Sequence, residues 1–160
     1  MKKILALATI LICLSAAEKT DRTNFNGTWT INTAKSSFGG QPPGQTPVTV
    51  AISQEENSLN LTRTVGDGPP TIETYNFDGS VIDTVINSIY HKSSFIKWSD
   101  DQQQFKILSK YHVTPVAQTP YDYTRTEGYS ISADGNLVID RITVLPDATQ
   151  TSKAVYEKKQ

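Results

Sequence analysis

The chain of 160 residues is almost free of cysteine, since Cys13 is the only one. Cys13 lies in an apolar run near the amino terminus, and Ile12 before it is not the small residue that a lipoprotein anchor needs. If the first 17 residues are removed, the remaining chain has no disulfide, no thiolate nucleophile and no zinc cluster. Its stability must then come from a packed core.

The sequence also lacks an excess of basic residues and a second long apolar run. The formal net charge is −1, and it becomes −3 when Lys2 and Lys3 are removed. Because nucleic-acid binding favours a basic patch, and the basic residues here are scattered among acids, we expect no nucleic-acid partner. No later segment approaches the roughly 20 apolar residues of a membrane helix, so we expect no membrane span.

Motifs of known enzymes are scarce as well. The two histidines, His91 and His112, lie in separate predicted strands, and there is no Gly-x-Ser-x-Gly, phosphate loop or His-Glu-x-x-His motif. We therefore predict no catalytic residue, no metal site and no cofactor. An enzyme stays an alternative, because some catalytic barrels use acids and tyrosines that no motif marks.

The first 17 residues read MKKILALATILICLSAA, which is typical of a secretory signal. Lys2 and Lys3 give a basic start, an apolar run follows, and Ser15, Ala16 and Ala17 supply the small residues that a signal peptidase reads. We predict a signal peptide at residues 1–17 and a periplasmic or secreted protein. The remaining 143 residues, 18–160, suffice for one domain with its own core.

A two-residue alternation of apolar and polar side chains predicts an all-β protein. Val48, Val50 and Ile52 alternate with polar or small residues, as do Phe105 and Ile107, and turn signals such as Asp78-Gly79 separate the runs. The spacing leaves no room for crossover helices and predicts eight to ten antiparallel strands in up-and-down order. The predicted strands cover residues 27–32, 46–54, 58–65, 71–77, 80–86, 88–98, 103–113, 121–132, 136–145 and 150–158.

Such a meander either closes into one β-barrel or folds into two packed sheets, and we favour the barrel, which removes exposed edges. A barrel of eight strands is just wide enough to be filled by side chains or to hold one small ligand. Residues 35–45 form a connection far longer than a hairpin requires. They are either a flap over one barrel mouth, with Phe38 inward, or a surface loop held by that phenylalanine.

Several segments resemble a group of small exported bacterial proteins described as lipocalin-like. These are Asn26-Gly27-Thr28-Trp29-Thr30-Ile31-Asn32, Lys35-Ser36-Ser37-Phe38, Tyr123-Thr124-Arg125-Thr126, Ser132-Ala133-Asp134-Gly135 and Ala154-Val155-Tyr156-Glu157-Lys158. The resemblance implies the barrel fold, and the group has no agreed activity. In true lipocalins a Gly-x-Trp tryptophan closes the barrel beneath an arginine. Gly27-Thr28-Trp29 matches that motif, and the resemblance implies Arg141 or Arg125 above Trp29.

One predicted strand carries charges on its apolar face. Tyr121, Tyr123, Arg125, Glu127 and Tyr129 share a side of segment 121–132. A buried lone charge is costly, so Arg125 and Glu127 each need a partner, and the simplest pairing is with each other. Arg63 shares the face of Leu59, Leu61 and Val65, which would leave the interior positive.

Three interpretations of these charges are open. Arg125 and Glu127 lie near a barrel mouth with their tips in water, or they form a buried pair with tyrosine hydroxyls, or an arginine holds the acidic group of an apolar ligand. The third predicts a ligand site formed by Arg125, Glu127, Arg63, Tyr123, Tyr129, Tyr111 and Tyr75.

The leading hypothesis for function is an exported barrel that binds a small hydrophobic or amphipathic ligand with an acidic group. The alternative is a non-catalytic envelope accessory or partner-binding module with a filled core. Interior bulk distinguishes them, because large aromatic side chains turned inward could fill the barrel completely. The residues in question are Trp29, Trp98, Phe77, Phe95 and Phe105.

Overall fold

The computed structural model describes residues 21–39 and 45–159, and the predicted signal peptide at residues 1–17 lies outside them. Within the described residues, ten strands alternate with turns, and the one helical element is a short 3₁₀ turn at Thr33–Lys35. The strands are β1 (Gly27–Ile31), β2 (Thr49–Gln54), β3 (Ser58–Thr64), β4 (Thr71–Asn76), β5 (Ile82–Val85), β6 (Tyr90–Trp98), β7 (Phe105–Val113), β8 (Tyr121–Ile131), β9 (Leu137–Val144) and β10 (Thr149–Lys158).

The strands form one antiparallel sheet in the order β4-β3-β2-β1-β10-β9-β8-β7-β6-β5. Neighbours in the sheet are neighbours in sequence, except that β1 pairs with β10, with Ile31 opposite Tyr156. The first and last strands thus join the two halves of the meander. β4 and β5 stand at the ends of the sheet, so the barrel is nearly closed and has one seam between them.

This architecture confirms the predicted all-β, up-and-down barrel. All ten predicted strands are present, and their ends differ from the prediction by a few residues at most. Turn chemistry explains the agreement, because Gly79 and Gly135 follow aspartate and adopt φ angles of 78° and 76°, which favour glycine.

Apolar side chains fill the lower half of the barrel, the end at which Trp98 of β6 faces Phe105 of β7. Phe25, just before β1, closes this end, with its ring centroid 4.8 Å from that of Phe105. The indole Nε1 of Trp29 donates a hydrogen bond of 3.1 Å to the carbonyl oxygen of Phe25. The core cluster also includes Ile52, Leu59, Leu61, Ile107, Tyr129, Leu137 and Ile139.

The cation above Trp29 is Lys158, so the placement of Arg141 or Arg125 there was wrong. The Nζ atom of Lys158 lies 5.4 Å from the centroid of the Trp29 ring. The register explains this contact, because Lys158 on β10 is directly opposite Trp29 on β1. Arg141 and Arg125 lie on β9 and β8 and contact other side chains.

The inward orientation considered for Phe95 was also wrong. Its neighbours Ser94 and Ile96 are buried, with 2% of each exposed, and alternation places Phe95 on the outer wall. There it lines a surface groove of about 380 Å³ together with Val81 and Leu108. The strand that contains Phe95 is apolar on both faces at this point, which is why sequence alternation misassigned it.

The long connection after β1 begins as a strap, residues 35–39, along β10. The backbones of Ser37 and Lys153 exchange two hydrogen bonds of 2.8 Å, and Ser36 Oγ accepts one of 2.9 Å from the amide of Val155. Phe38 in this strap is half-buried. The predicted flap continues through residues 40–44, which lie outside the described residues.

We expect Gly39→Ala to destabilise the barrel more than Gly66→Ala. Both glycines have positive φ angles, 56° and 53°, where a side chain costs about 1 to 2 kcal/mol. Only at Gly39 would a Cβ also meet a neighbour, at 1.8 Å from the carbonyl oxygen of Thr151, whereas nothing lies within 4 Å at Gly66. Urea unfolding should give a loss of roughly 3 kcal/mol for Gly39→Ala. Equal losses in the two variants would contradict the packed strap.

Candidate functional site

Six charged side chains point into the barrel above its apolar lower half, and we call them the charged layer. Strand alternation puts them there, because Arg63 lies two residues after Leu61 on β3, and Glu73 lies two before Tyr75 on β4. Leu61 and Tyr75 are completely buried. The charged layer consists of Arg63, Glu73, Lys92, Arg125, Glu127 and Arg141.

Five members of the charged layer form a chain of ion pairs with alternating sign. Lys92 pairs with Glu73, whose other carboxylate oxygen pairs with Arg63. Arg63 Nη2 donates a hydrogen bond of 2.9 Å to Glu127 Oε2. Arg141 donates to Glu127 Oε1 from Nε at 3.1 Å and from Nη2 at 2.9 Å. Both oxygens of Glu127 are therefore occupied by guanidinium groups.

Glu127 is the more deeply buried of the two carboxylates in the ion-pair chain. Only 6% of its side chain is exposed, against 12% for Arg63 and 11% for Arg141. Burial alone would raise the pKa of Glu127, but the charges of Arg63, Arg141 and Arg125 outweigh it and lower the pKa to about 2. Glu127 therefore stays ionised, and its charge-assisted hydrogen bonds offset the cost of burial.

The pair between Lys92 and Glu73 crosses the seam of the barrel. Lys92 lies on β6 and Glu73 on β4, so the pair connects strands on opposite sides of the seam. Lys92 Nζ also lies 3.5 Å from the hydroxyl of Tyr75. Burial would lower the pKa of Lys92, but Tyr75 and Glu73 outweigh it and raise the pKa, so the ammonium is kept. The ion pair thus links the two sides of the seam, where β4 and β5 form no backbone ladder.

Arg125 differs from the other two arginines of the charged layer in its partners. Its Nε donates a hydrogen bond of 3.3 Å to Thr143 Oγ1, and its guanidinium carbon lies 5.4 Å from the centroid of the Tyr111 ring. These partners are a hydroxyl group and a ring face, and neither carries a negative charge. The half-buried guanidinium of Arg125 thus has donors left for an anionic group.

Two tyrosines form a wall beside Arg125. The rings of Tyr111 and Tyr123, opposite each other on β7 and β8, stack with centroids 4.4 Å apart and planes at 4°. Burial raises the pKa of Tyr123 to about 12, so its hydroxyl stays neutral. The wall therefore offers an apolar face and a hydrogen-bonding group next to a cation.

The structure places all seven predicted site residues on the interior side, at three levels. Tyr75 and Tyr129 lie in the core, where Tyr129 stacks on Phe105 at 4.5 Å and its hydroxyl accepts a hydrogen bond of 2.8 Å from Arg63. Arg63 and Glu127 lie in the ion-pair chain. Arg125, Tyr111 and Tyr123 lie above it. Their role in ligand binding stays a prediction.

Glu127 does not form the expected ion pair with Arg125. Its partners are Arg63 and Arg141. Residues i and i+2 of one strand are separated by about 6.6 Å of backbone, whereas directly opposite residues on neighbouring strands are closer. Arg141 on β9 is directly opposite Glu127 on β8. The cross-strand neighbour Arg141 therefore occupies the position beside Glu127 that was expected for Arg125.

Sequence reasoning missed Glu73 and Lys92, and it assigned Arg141 only to the contact with Trp29. Each of the three lies two residues from a buried side chain on its strand: Tyr75, Ser94 and Ile139, respectively. That alternation was a usable signal. With these residues included, the charged layer has four cations and two carboxylates and carries two unbalanced positive charges.

The outer wall carries the two histidines. His91 and His112 are opposite each other on β6 and β7, and His112 Nδ1 lies 2.7 Å from Asp122 Oδ1. Among the described residues, no group of three His, Cys, Asp or Glu side chains is arranged to hold a metal ion. A search of the same residues found no helix with the length and apolarity that crossing a membrane requires.

We expect Arg63→Met and Arg125→Met to have different effects on stability. Arg63→Met leaves Glu73 and Glu127 each without one cationic partner, which should lower the free energy of unfolding by about 3 to 5 kcal/mol. Arg125 makes no ion pair and only assists Arg63 and Arg141 in lowering the pKa of Glu127, so Arg125→Met should change the free energy of unfolding by about 1 kcal/mol or less. Urea unfolding at neutral pH measures both. Similar losses would contradict the separate roles.

The pKa of Glu127 predicts how stability depends on pH. A carboxyl whose pKa is lower in the folded state contributes stability that is present above its usual value of 4.5 and is lost as the pH falls toward about 2. For Glu127 this contribution is at most about 3 kcal/mol. Urea unfolding between pH 7 and pH 2 should show a flatter profile for Glu127→Gln than for the unchanged protein.

Glu157→Gln is the control for this measurement. Glu157 is exposed on β10, and hydrogen bonds from Asn32 and Lys35 lower its pKa. Solvent screens that pair, so the variant should keep most of the pH dependence. A Glu127→Gln profile with the slope of the unchanged protein would show that Glu127 is not held as described.

Comparisons with known proteins support the fold. No protein-family model matches the chain, and no curated protein sequence matches it. Among solved structures, the barrel is similar to the ileal bile acid-binding protein of zebrafish complexed with cholic acid, with a TM-score of 0.56 and 14% sequence identity. The match covers 84% of this chain and 98% of that one. At this identity the likeness shows a shared lipocalin-like barrel fold, while the resemblance to exported bacterial proteins stays a prediction.

Proposed function

We propose that this protein binds a small apolar or amphipathic molecule with an acidic group, which Arg125 holds inside the barrel. The observation that carries the proposal is the position of Arg125. Its guanidinium points inward in a cluster with two unbalanced positive charges, and its own partners are Thr143 and the Tyr111 ring. None of the described residues gives Arg125 an anionic hydrogen-bond partner, because both oxygens of nearby Glu127 are occupied by Arg63 and Arg141.

Electrostatics favour such a ligand. A partly buried guanidinium without an ion-pair partner of its own is unfavourable, and a bound carboxylate would reduce that cost. The planar guanidinium can hold a carboxylate with two parallel hydrogen bonds. The ion pairs of Arg63 and Arg141 fix the surrounding side chains, so little ordering is required when the ligand binds.

The similar solved structure supports the same class of function. The zebrafish protein is a bile acid-binding protein complexed with cholic acid. One fold can carry many functions, so the likeness adds weight to a small-molecule site and does not identify the molecule. The mouth of a β-barrel is one of the common positions for such sites.

We also propose that the protein is exported to the periplasm or secreted. The support is the sequence of residues 1–17, with its basic start, apolar run and small residues before Glu18. An exported barrel would meet its ligand outside the cytoplasm. The intact mass of the protein from its own host tests this proposal, since cleavage after Ala17 gives a chain that begins at Glu18.

The filled lower half supports a second candidate, the accessory or partner-binding module. Phe25, Phe105 and Tyr129 in the lower half have no exposed surface of their own. If the upper half also holds no ligand, the barrel would act only through its outer wall and loops. The ligand experiments below decide between the two functions.

We expect Arg125→Met to weaken the binding of carboxylate ligands at least tenfold, because it removes a charge-assisted hydrogen-bonding group and keeps the apolar stem. Thermal shift and calorimetry with fatty acids, sterol acids and aromatic acids measure this effect. The control is Lys106→Met, which removes one positive charge from an exposed position on β7. Equal weakening by both variants would indicate a general charge effect and would contradict the site.

Native mass spectrometry of protein purified from its own host tests the proposal without a chosen ligand. The expected result is a co-purified mass of small-molecule size that is reduced in Arg125→Met. A ligand-free mass, together with no thermal shift across the acids, would overturn the proposal and support the partner-binding module.

A further inference from the structure

The depth of the space available above the charged layer restricts the ligand. Below the layer, a void large enough for water would leave accessible surface on the side chains around it. Leu59, Leu61, Tyr75, Phe105 and Tyr129 have none, with 0% of each exposed. The apolar tail of a ligand held at Arg125 therefore finds no room between these side chains.

The upper half of the barrel is more open on one side, although Val113 and Tyr111 are buried there. Tyr123 and Arg125 are half-buried, the Glu73 side chain is 20% exposed, and Tyr121 at the mouth is 37% exposed. Arg125 and Tyr121 are four residues apart on β8, which is about 13 Å of extended strand. With the usual tilt of barrel strands, this corresponds to a depth of about 10 Å along the axis.

The walls of this upper space are rich in tyrosine. Tyr111 and Tyr123 stack beside Arg125, and Val113 lies between Tyr90 and Tyr121 in the next level of the wall. Tyrosine side chains offer flat apolar faces with polar edges, and aromatic rings pack well against such faces. The wall thus suits a flat, rigid molecule better than a flexible chain.

We infer that the ligand is a compact aromatic acid with one or two fused rings, whose carboxylate meets Arg125 and whose ring packs on the half-buried ring of Tyr123. This inference rests on the proposed function and narrows its ligand class. A long-chain fatty acid held at Arg125 would extend through the mouth and leave much of its tail in water. Its apolar surface would then contribute little to affinity.

The test compares two acids by isothermal titration calorimetry on the folded protein. We expect 2-naphthoate to bind at least tenfold more tightly than palmitate. Arg125→Met should weaken the binding of both acids, and Lys106→Met on the outer wall should weaken the binding of neither. Tyr123→Leu should weaken the binding of 2-naphthoate about tenfold, because it removes an aromatic ring face.

Tyr123→Phe keeps the ring and serves if Tyr123→Leu does not fold, as judged by circular dichroism. Tyr123→Phe should weaken the binding of 2-naphthoate by less than the tenfold expected for Tyr123→Leu. Palmitate binding as tight as that of 2-naphthoate, with both weakened by Arg125→Met, would overturn the inference and leave the proposed function in place. If neither acid binds, and no other carboxylate does, the proposed function fails as well. Preference for 2-naphthoate that is unchanged in Tyr123→Leu would overturn the assigned ring contact.

Discussion

The buried carboxylate of Glu127, held between two guanidinium groups, is the interaction on which the interior of this barrel depends. Arg141 reaches it from the adjacent strand β9, whereas Arg63 reaches it from β3 on the far side. β3 and β8 are not neighbours in the sheet, so this contact sets the width of the barrel at one level. Loss of either arginine would leave one oxygen of the buried Glu127 carboxylate without its cationic partner.

The charged layer divides the barrel into two parts with different physical character. Below it, aromatic and aliphatic side chains pack densely around Phe105 and supply the hydrophobic stabilisation. Above it, hydroxyl groups and tyrosine rings surround the path from the mouth, which ends at Arg125. The ion-pair chain thus serves as the floor of the upper half. Its fixed geometry gives a ligand site a rigid base, and the apolar core beneath keeps that base in place.

Much of the fold could be predicted from the sequence, because strand alternation and turn residues are local signals. Strand β7 shows this well: Phe105, Ile107 and Val113 alternate with polar residues and are buried as expected. Strand β5 is the opposite case. Val81-Ile82 and Val85-Ile86 break the alternation, so only the structure shows that Ile82 packs on the core while the other three are exposed.

The candidate site was predictable in part. Arg63 and Glu127 stood out because they interrupt apolar faces, and that reasoning placed them inside the barrel. Their actual partners depend on which strands are adjacent and in what register, and a single sequence does not contain that information. The contacts of Glu73 on the edge strand β4 are an example: alternation could have placed it inside the barrel, but only strand adjacency shows that it connects Arg63 with Lys92. Lys158 was overlooked in the same way, since its contact with Trp29 follows from the pairing of β1 with β10.

The pairing of β1 with β10 has a consequence for how the chain acquires its shape. Each of the other ladders joins consecutive strands and can form as soon as a hairpin is complete. The ladder between β1 and β10 brings together segments separated by more than a hundred positions, which is a slow and entropically costly step. We therefore expect β1 to pair with β10 only after both halves of the meander have formed. Until then β1–β4 and β5–β10 would be two separate sheets, and their joining would be a late step of folding.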